Sequence, residues 1–182
     1  MKKIIFGIVL FITVSVFAQD KLITRTGTIQ FASADQAFDN VKAQNNDVTC
    51  VLNTKTGEIA SLALVKQFKF KIALMEEHFN ETYVESDTYP KAVFKGLIEN
   101  FDIKQLSATP KDFALNGTLE LHGKTVPIKT KLQIKKTAAE IQITGQFMVI
   151  STDFNMKIPS VGKKNIKNGI DTSVKFVLTA KK

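Results

Sequence analysis

Reactive side chains are few in this 182-residue chain: two histidines, His78 and His122, and one cysteine, Cys50. A histidine metal site needs two or three ligands at fixed spacing, and no His-x-x-x-His or His-Glu-x-x-His pattern joins residues 78 and 122. A lone thiol excludes an internal disulfide framework and a thiolate zinc site. Cys50 sits at an inward position of an alternating apolar stretch and reads as a small buried hydrophobe rather than a nucleophile. Ser86 or Ser160 could formally complete a Ser-His-Asp triad, yet no Gly-x-Ser-x-Gly elbow surrounds either. There is no glycine-rich phosphate loop, and Glu76 and Glu77 are adjacent rather than facing. The expectation is a protein with no catalysis, metal or cofactor, whose function comes from shape and lining.

The elements that would position such a lining come after a leader. Lys2 and Lys3 precede an apolar run from Ile4 to Phe17, and Val16 and Ala18 stand at −3 and −1 of a cleavage point. That predicts a signal peptide over 1–18 and a single mature domain over 19–182, exported to the periplasm or secreted; the run is short of the ~20 residues that a membrane anchor needs. Gln19 excludes lipoprotein acylation, which requires a cysteine there. An apolar share of 44% with 23% charged residues is that of a globular domain and excludes a disordered chain or a bundle of membrane spans. Cleavage leaves 23 basic against 17 acidic residues, a net +6. Lys55, Lys69, Lys91, Lys129 and Lys131 are spread along strand-like stretches and read as solvated strand faces, so nucleic acid is not an expected partner. The charge favours only a weak, salt-sensitive peripheral contact with anionic envelope membranes.

Within the mature chain the dominant period is two, the period of a strand with one buried face. Ile23 to Phe31 forms a first strand, Val48, Cys50 and Leu52 share a face, and Thr54 to Gly57 turns into a long strand from Glu58 to Phe70. There Leu62, Leu64, Phe68 and Phe70 are read as one inward face, with Lys66 marking a bulge or a barrel corner. Alternation resumes at Ala92, Phe94 and Ile98, and again from Phe113 through Leu115, Gly117, Leu119 and Leu121 to a two-residue turn at Gly123 and Lys124. Val126, Ile128, Leu132 and Ile134, then Ile141 to Val149, then Val174, Phe176, Leu178 and Ala180 continue it. The stretch from Lys71 to Tyr83 departs from it, since Ile72, Met75, Phe79 and Tyr83 have helical spacing. About eight antiparallel strands and one short amphipathic helix predict a mainly β fold, a closed barrel in preference to a sandwich. Gly96, Gly117 and Gly145 fall at inward positions, where a glycine needs a reason such as a bend or room for something inside. The long segment from Thr152 to Gly169 reads as a flap over one mouth, with Phe154 and Met156 toward a ligand and Lys157, Lys163 and Lys164 toward solvent or a phosphate head group.

Three landmarks in order carry a family resemblance. They are Met75-Glu76-Glu77-His78-Phe79-Asn80 with Tyr83 to Gly96, then Leu115 to Pro127 around Leu121-His122-Gly123-Lys124, then Thr152-Asp153-Phe154-Asn155-Met156 with Pro159. Together they resemble the YceI-like family over residues 58–180. Thr24-Arg25-Thr26-Gly27-Thr28 departs from it, because the family often has an Asp and a His-Ser before its first strand. The resemblance implies a lipocalin-like antiparallel barrel that binds polyisoprenoids or other long-chain amphiphiles. The residues read as lining the ligand are Leu62, Leu64, Phe68 and Phe70 from the long strand, Met75 and Phe79 from the helix, Phe94, Ile98, Leu115, Leu119, Phe147 and Phe176 from later strands, and Phe154 and Met156 from the flap. The reading is an exported protein that holds an isoprenoid, an isoprenoid quinone or a fatty chain. Its alternative is a ligand-free structural or stress-response envelope protein with a filled barrel, and a homodimer is compatible with either.

Overall fold

Alternating apolar and polar residues lie along nine antiparallel strands, described in a computed structural model over residues 20–33, 42–156 and 169–180. They are β1 (Lys21–Ser33), β2 (Lys42–Asn53), β3 (Glu58–Leu64), β4 (Lys69–Phe70), β5 (Lys91–Ile98), β6 (Lys111–Leu121), β7 (Lys124–Lys136), β8 (Ile141–Ile150) and β9 (Gly169–Ala180), with the helix α1 (Ala73–His78) between β4 and β5. The order β1-β9-β8-β7-β6-β5-β3-β2 closes on itself because β1 also pairs with β2, while β4 adds two residues beside β2. The expected eight-stranded antiparallel barrel with one short helix is therefore what forms. Its pairings place α1 and the turns at 122–123 and 151–156 at one end, and the turns at 54–57, 99–110 and 137–140 at the other.

Two local readings need correction. The stretch from Glu58 to Phe70 is not one strand: a 3-10 turn over Val65–Gln67 separates β3 from β4 and inverts the alternation. Ile59 and Ala63 are buried and Ser61 faces the interior, which puts Leu62 and Leu64 on the outer face, with Leu64 38% exposed. Side-chain size misled the reading at mid-strand, because the interior beside Ser61 is already taken by its partner Phe94, and a small residue fits at that position. The hairpin after β6 turns at His122 and Gly123, one residue earlier than expected; both have positive φ (49° and 68°), as a two-residue primed turn requires.

The buried residues form two groups. Val48, Cys50, Leu52, Ile98, Phe113, Ile134, Ile141 and Leu178 belong to the larger one. Under α1 lies a smaller one, made of Val65, Val84, Val149, Phe154 and Met156. The expected helix is α1 continued by a wider π-type turn over Phe79–Tyr83. None of its residues is fully buried. Phe79 anchors it, with ring centroids 5.4 Å from Phe31, 6.1 Å from Phe68 and 5.1 Å from Phe70, a separation at which tilted aromatic pairs attract.

A charged group also ties α1 down. The Glu76 carboxylate accepts from Lys69 Nζ at 2.6 Å and from the Phe70 N–H at 3.2 Å. The lysine's hydrogen bond, foremost, holds this carboxyl below its usual range. A carboxyl lowered on folding stabilises above its unfolded pKa and loses that contribution as the pH falls through the folded value. Amide exchange should therefore report α1 loosening in acid, below the ordinary glutamate range. Glu76→Gln should show the same loosening at neutral pH, by less than about 1 kcal/mol because Lys69 is solvent-exposed, and should abolish the acid step.

Candidate functional site: an apolar barrel cavity

Midway along the barrel is a cavity of about 60 Å³. Five of the residues expected to line a ligand face it: Phe94 from β5, Leu115 and Leu119 from β6, Phe147 from β8 and Phe176 from β9. Ile29, Ile59, Ser61, Ala92, Ile128, Thr130, Leu132, Ile143 and Val174 complete the wall. Several of these, such as Ile128, Leu132, Ile143 and Val174, stand on the alternating apolar faces of the sequence. Ser61 and Thr130 are hydroxyls that hydropathy alone assigns to the surface. Thr130 is already engaged, since its Oγ1 donates to the Gln146 carbonyl at 2.8 Å. No carboxylate, amine or imidazole lines the wall, so it offers no acid or base to a bound molecule. What it offers is apolar contact, at roughly 25 cal/mol per Å² removed from water.

The glycines explain the shape of this wall. Gly96 and Gly117 face each other across β5 and β6, and the Phe94 ring lies over both: a Cβ on Gly117 would stand 2.5 Å from Phe94 Cζ, and one on Gly96 2.8 Å from it. Gly27 receives the Phe176 ring, and Gly145 a Leu132 methyl, in the same way. The room expected at inward glycines is thus occupied by the protein's own side chains, which lie flat and leave the residual cavity between them.

The remaining expected lining residues lie elsewhere. Ile98 is buried deeper, toward the end away from α1. Phe68, Phe70 and Phe79 form the aromatic group that anchors the helix, and Met75 is half-buried on α1. Phe154 and Met156 are buried in the group under α1, while Leu62 and Leu64 face outward. Of the flap, Lys157, Lys163 and Lys164 lie outside the described residues.

His122 binds the backbone, as its place before a tight turn suggests, but through a longer network. Its Nδ1 donates to the Phe154 carbonyl at 2.9 Å, its Nε2 lies 2.8 Å from Glu85 Oε2, and its ring stands edge-on to Tyr89 at 4.5 Å. Glu85, His122 and Asn155 all have left-handed backbones (φ 46°, 49° and 59°). That knot of turns was not readable from sequence, because its members are distant in the chain and meet only in the folded barrel. Cys50 is fully buried, and burial pushes its thiol up to about 12, so no thiolate is at hand. Among the described residues, no group of three or more His, Cys, Asp or Glu is placed to hold a metal ion.

The YceI-like domain model matches residues 13–180. The chain belongs to the YceI-like family. Solved structures share the YceI-like fold at low identity. A polyisoprenoid-binding domain from Saccharophagus degradans superposes with a TM-score of 0.70 at 13% identity, covering 90% of this chain and 99% of that one. BcnA of Burkholderia cenocepacia gives 0.65 at 14%, covering 85% and 96%, and the Campylobacter jejuni YceI protein 0.64 at 15%, covering 79% and 86%. No curated protein sequence matches the chain.

Proposed function

We propose that this YceI-like protein is exported and holds the hydrocarbon tail of a long-chain amphiphile, an isoprenoid, isoprenoid quinone or fatty chain, in the barrel cavity without chemically altering it. The observation that carries this reading is a wall of apolar side chains, broken only by the Ser61 and Thr130 hydroxyls. The family and the similarity to a polyisoprenoid-binding domain support the same class of ligand. The leader-like residues 1–18 support export, and a net +6 on the mature chain gives a weak attraction to anionic envelope surfaces.

One observation favours the alternative of a filled barrel in a structural envelope protein: about 60 Å³ is far below the roughly 300–1,000 Å³ of ligand pockets. In the binding reading, a tail makes its space by turning side chains such as Phe94 and Phe147. Extraction of exported protein with organic solvent, followed by mass spectrometry, tests both halves. The expected result is a chain beginning at Gln19 and a co-purifying long-chain amphiphile. A chain that retains Lys2 and Lys3 overturns export, and the absence of any lipid after exposure to envelope extract overturns binding.

A further inference from the structure

Strands β7 and β8 form a ladder over only part of their length. The pairs run from Leu132↔Gly145 to Lys136↔Ile141, whereas β6 and β7 pair from Lys111↔Ile134 all the way to Leu121↔Lys124. β8 and β9 pair from Ile141↔Leu178 to Ile150↔Gly169. Where the strands part, the Thr130 hydroxyl takes the Gln146 carbonyl in place of a ladder bond. Beyond that fork, residues 124–130 and 146–150 have no ladder with each other, although closure of a barrel normally removes every edge.

The cavity lies directly behind this seam, since Ile128, Thr130 and Phe147 are part of its wall. What packs into the gap is the turn after β8, the 3-10 turn Ser151–Phe154 with Met156 behind it. Phe154 and Met156, 1% and 5% exposed, pack with Val126, Val149 and Phe147. Phe147 belongs to both that group and the cavity wall, so the turn is one side chain away from the cavity. The turn is closed on itself by Asn155 N–H to the Thr152 carbonyl and Met156 N–H to the Ser151 carbonyl. Among the described residues, its hydrogen bond to another element is the one from His122 Nδ1 to the Phe154 carbonyl, and His122 is held in turn by Glu85. Outside, Met148 and Ile150 on β8 are 52% and 36% exposed and give the seam an apolar lip. Among the described residues the other routes are thicker: α1 and the cluster of Phe31, Phe68, Phe70 and Phe79 beside it cover one end, and Ile98, Phe113, Ile134 and Leu178 fill the other.

We propose that the open half of the β7–β8 seam is the entrance to the cavity, with Ser151–Met156 as a hinged plug and His122 as its latch. This rests on the reading of the cavity as a lipid site. Among the described residues, opening requires that a short, self-bonded turn swing out, a local event of the kind that gates many binding sites while the main ladders stay intact. A gate has a kinetic signature: loosening it speeds entry and exit together and leaves affinity nearly unchanged.

The test is stopped-flow binding of a dansyl-labelled long-chain fatty acid to the mature protein. His122→Asn keeps a residue that tolerates positive φ and removes the bond to Phe154. It is expected to raise both kon and koff about fivefold, the scale of one hydrogen bond, with Kd within about twofold. Phe154→Ala should raise both by about tenfold or more; if it does not fold, His122→Asn carries the test. A rise in koff alone would make these residues ligand contacts, and unchanged rates would place the entrance elsewhere; either overturns the gate while the lipid reading stands. Lack of saturable binding by the parent protein overturns the lipid reading itself, and the gate with it.

Discussion

Gly117→Ala is expected to destabilise the barrel by about 3 kcal/mol or more, at the upper end for overpacking a core. The new Cβ would lie 2.5 Å from the Lys95 carbonyl oxygen, 2.5 Å from Phe94 Cζ and 2.8 Å from the Gly96 Cα. Two of those three neighbours are backbone, so turning the Phe94 ring relieves only part of the clash. The strands themselves must move apart, at the point where Gly96 and Gly117 face each other in the β5–β6 ladder. Gly145→Ala makes the control. Its Cβ would meet a Leu132 methyl at 2.6 Å, but the next atoms are 3.5 and 3.6 Å away, and the end of a leucine can swing aside at a cost of about 1 kcal/mol. Urea unfolding of the three proteins should rank them parent, Gly145→Ala, Gly117→Ala. Phe94→Leu combined with Gly117→Ala should recover part of the loss and not all of it. Equal stability of Gly117→Ala and the parent would mean that the phenylalanine does not lie over the glycine pair.

The same glycines show where sequence reasoning reached and where it stopped. Period-two alternation from Phe113 to Leu121 and from Ile141 to Val149 located β6 and β8 and their inward faces, because a half-buried antiparallel strand imposes that period on its side chains. Three of the expected cavity residues, Leu115, Leu119 and Phe147, followed from it. The reading failed where a face is set by a neighbour's bulk: β3 turns Ile59, Ser61 and Ala63 inward and its leucines outward because Phe94 already occupies the space beside it. Hydropathy within one strand carries no record of that. The three-residue 3-10 turn at Val65–Gln67 then inverted the phase, and only Lys66 hinted at it. Phe154 and Met156, expected to face a ligand from a flap, are instead buried outside the cavity wall, since whether a loop's apolar residues line a cavity or plug a seam depends on the unladdered half of β7 and β8. Strand pairing of that kind is long-range and leaves no local motif.

Ala92→Leu and Phe113→Ala should separate binding from stability, and so decide whether the barrel holds a tail. Ala92 faces the cavity from β5, so three added carbons go into free space of about 60 Å³. Filling it should change stability by no more than about 1 kcal/mol, because added contacts offset a slight crowding. The same carbons stand where a tail would lie, and binding of a fluorescent fatty acid should weaken by about tenfold, equivalent to 1.4 kcal/mol. Phe113 belongs to the larger buried group with Ile98, Ile134 and Leu178 and is not itself part of the cavity wall. Its truncation to alanine should cost about 3–5 kcal/mol, a large part of the 5–15 kcal/mol that holds a domain together. Affinity measured on the folded fraction should be unchanged, and Phe113→Leu provides a milder reading of the same effect if the alanine variant does not fold. In a filled barrel the added leucine occupies the same free space at the same small cost in stability, and the parent protein has no saturable binding to lose. Urea midpoints and a probe titration on three proteins therefore distinguish a container from a plug of side chains, because only a container can lose its ligand while keeping its stability.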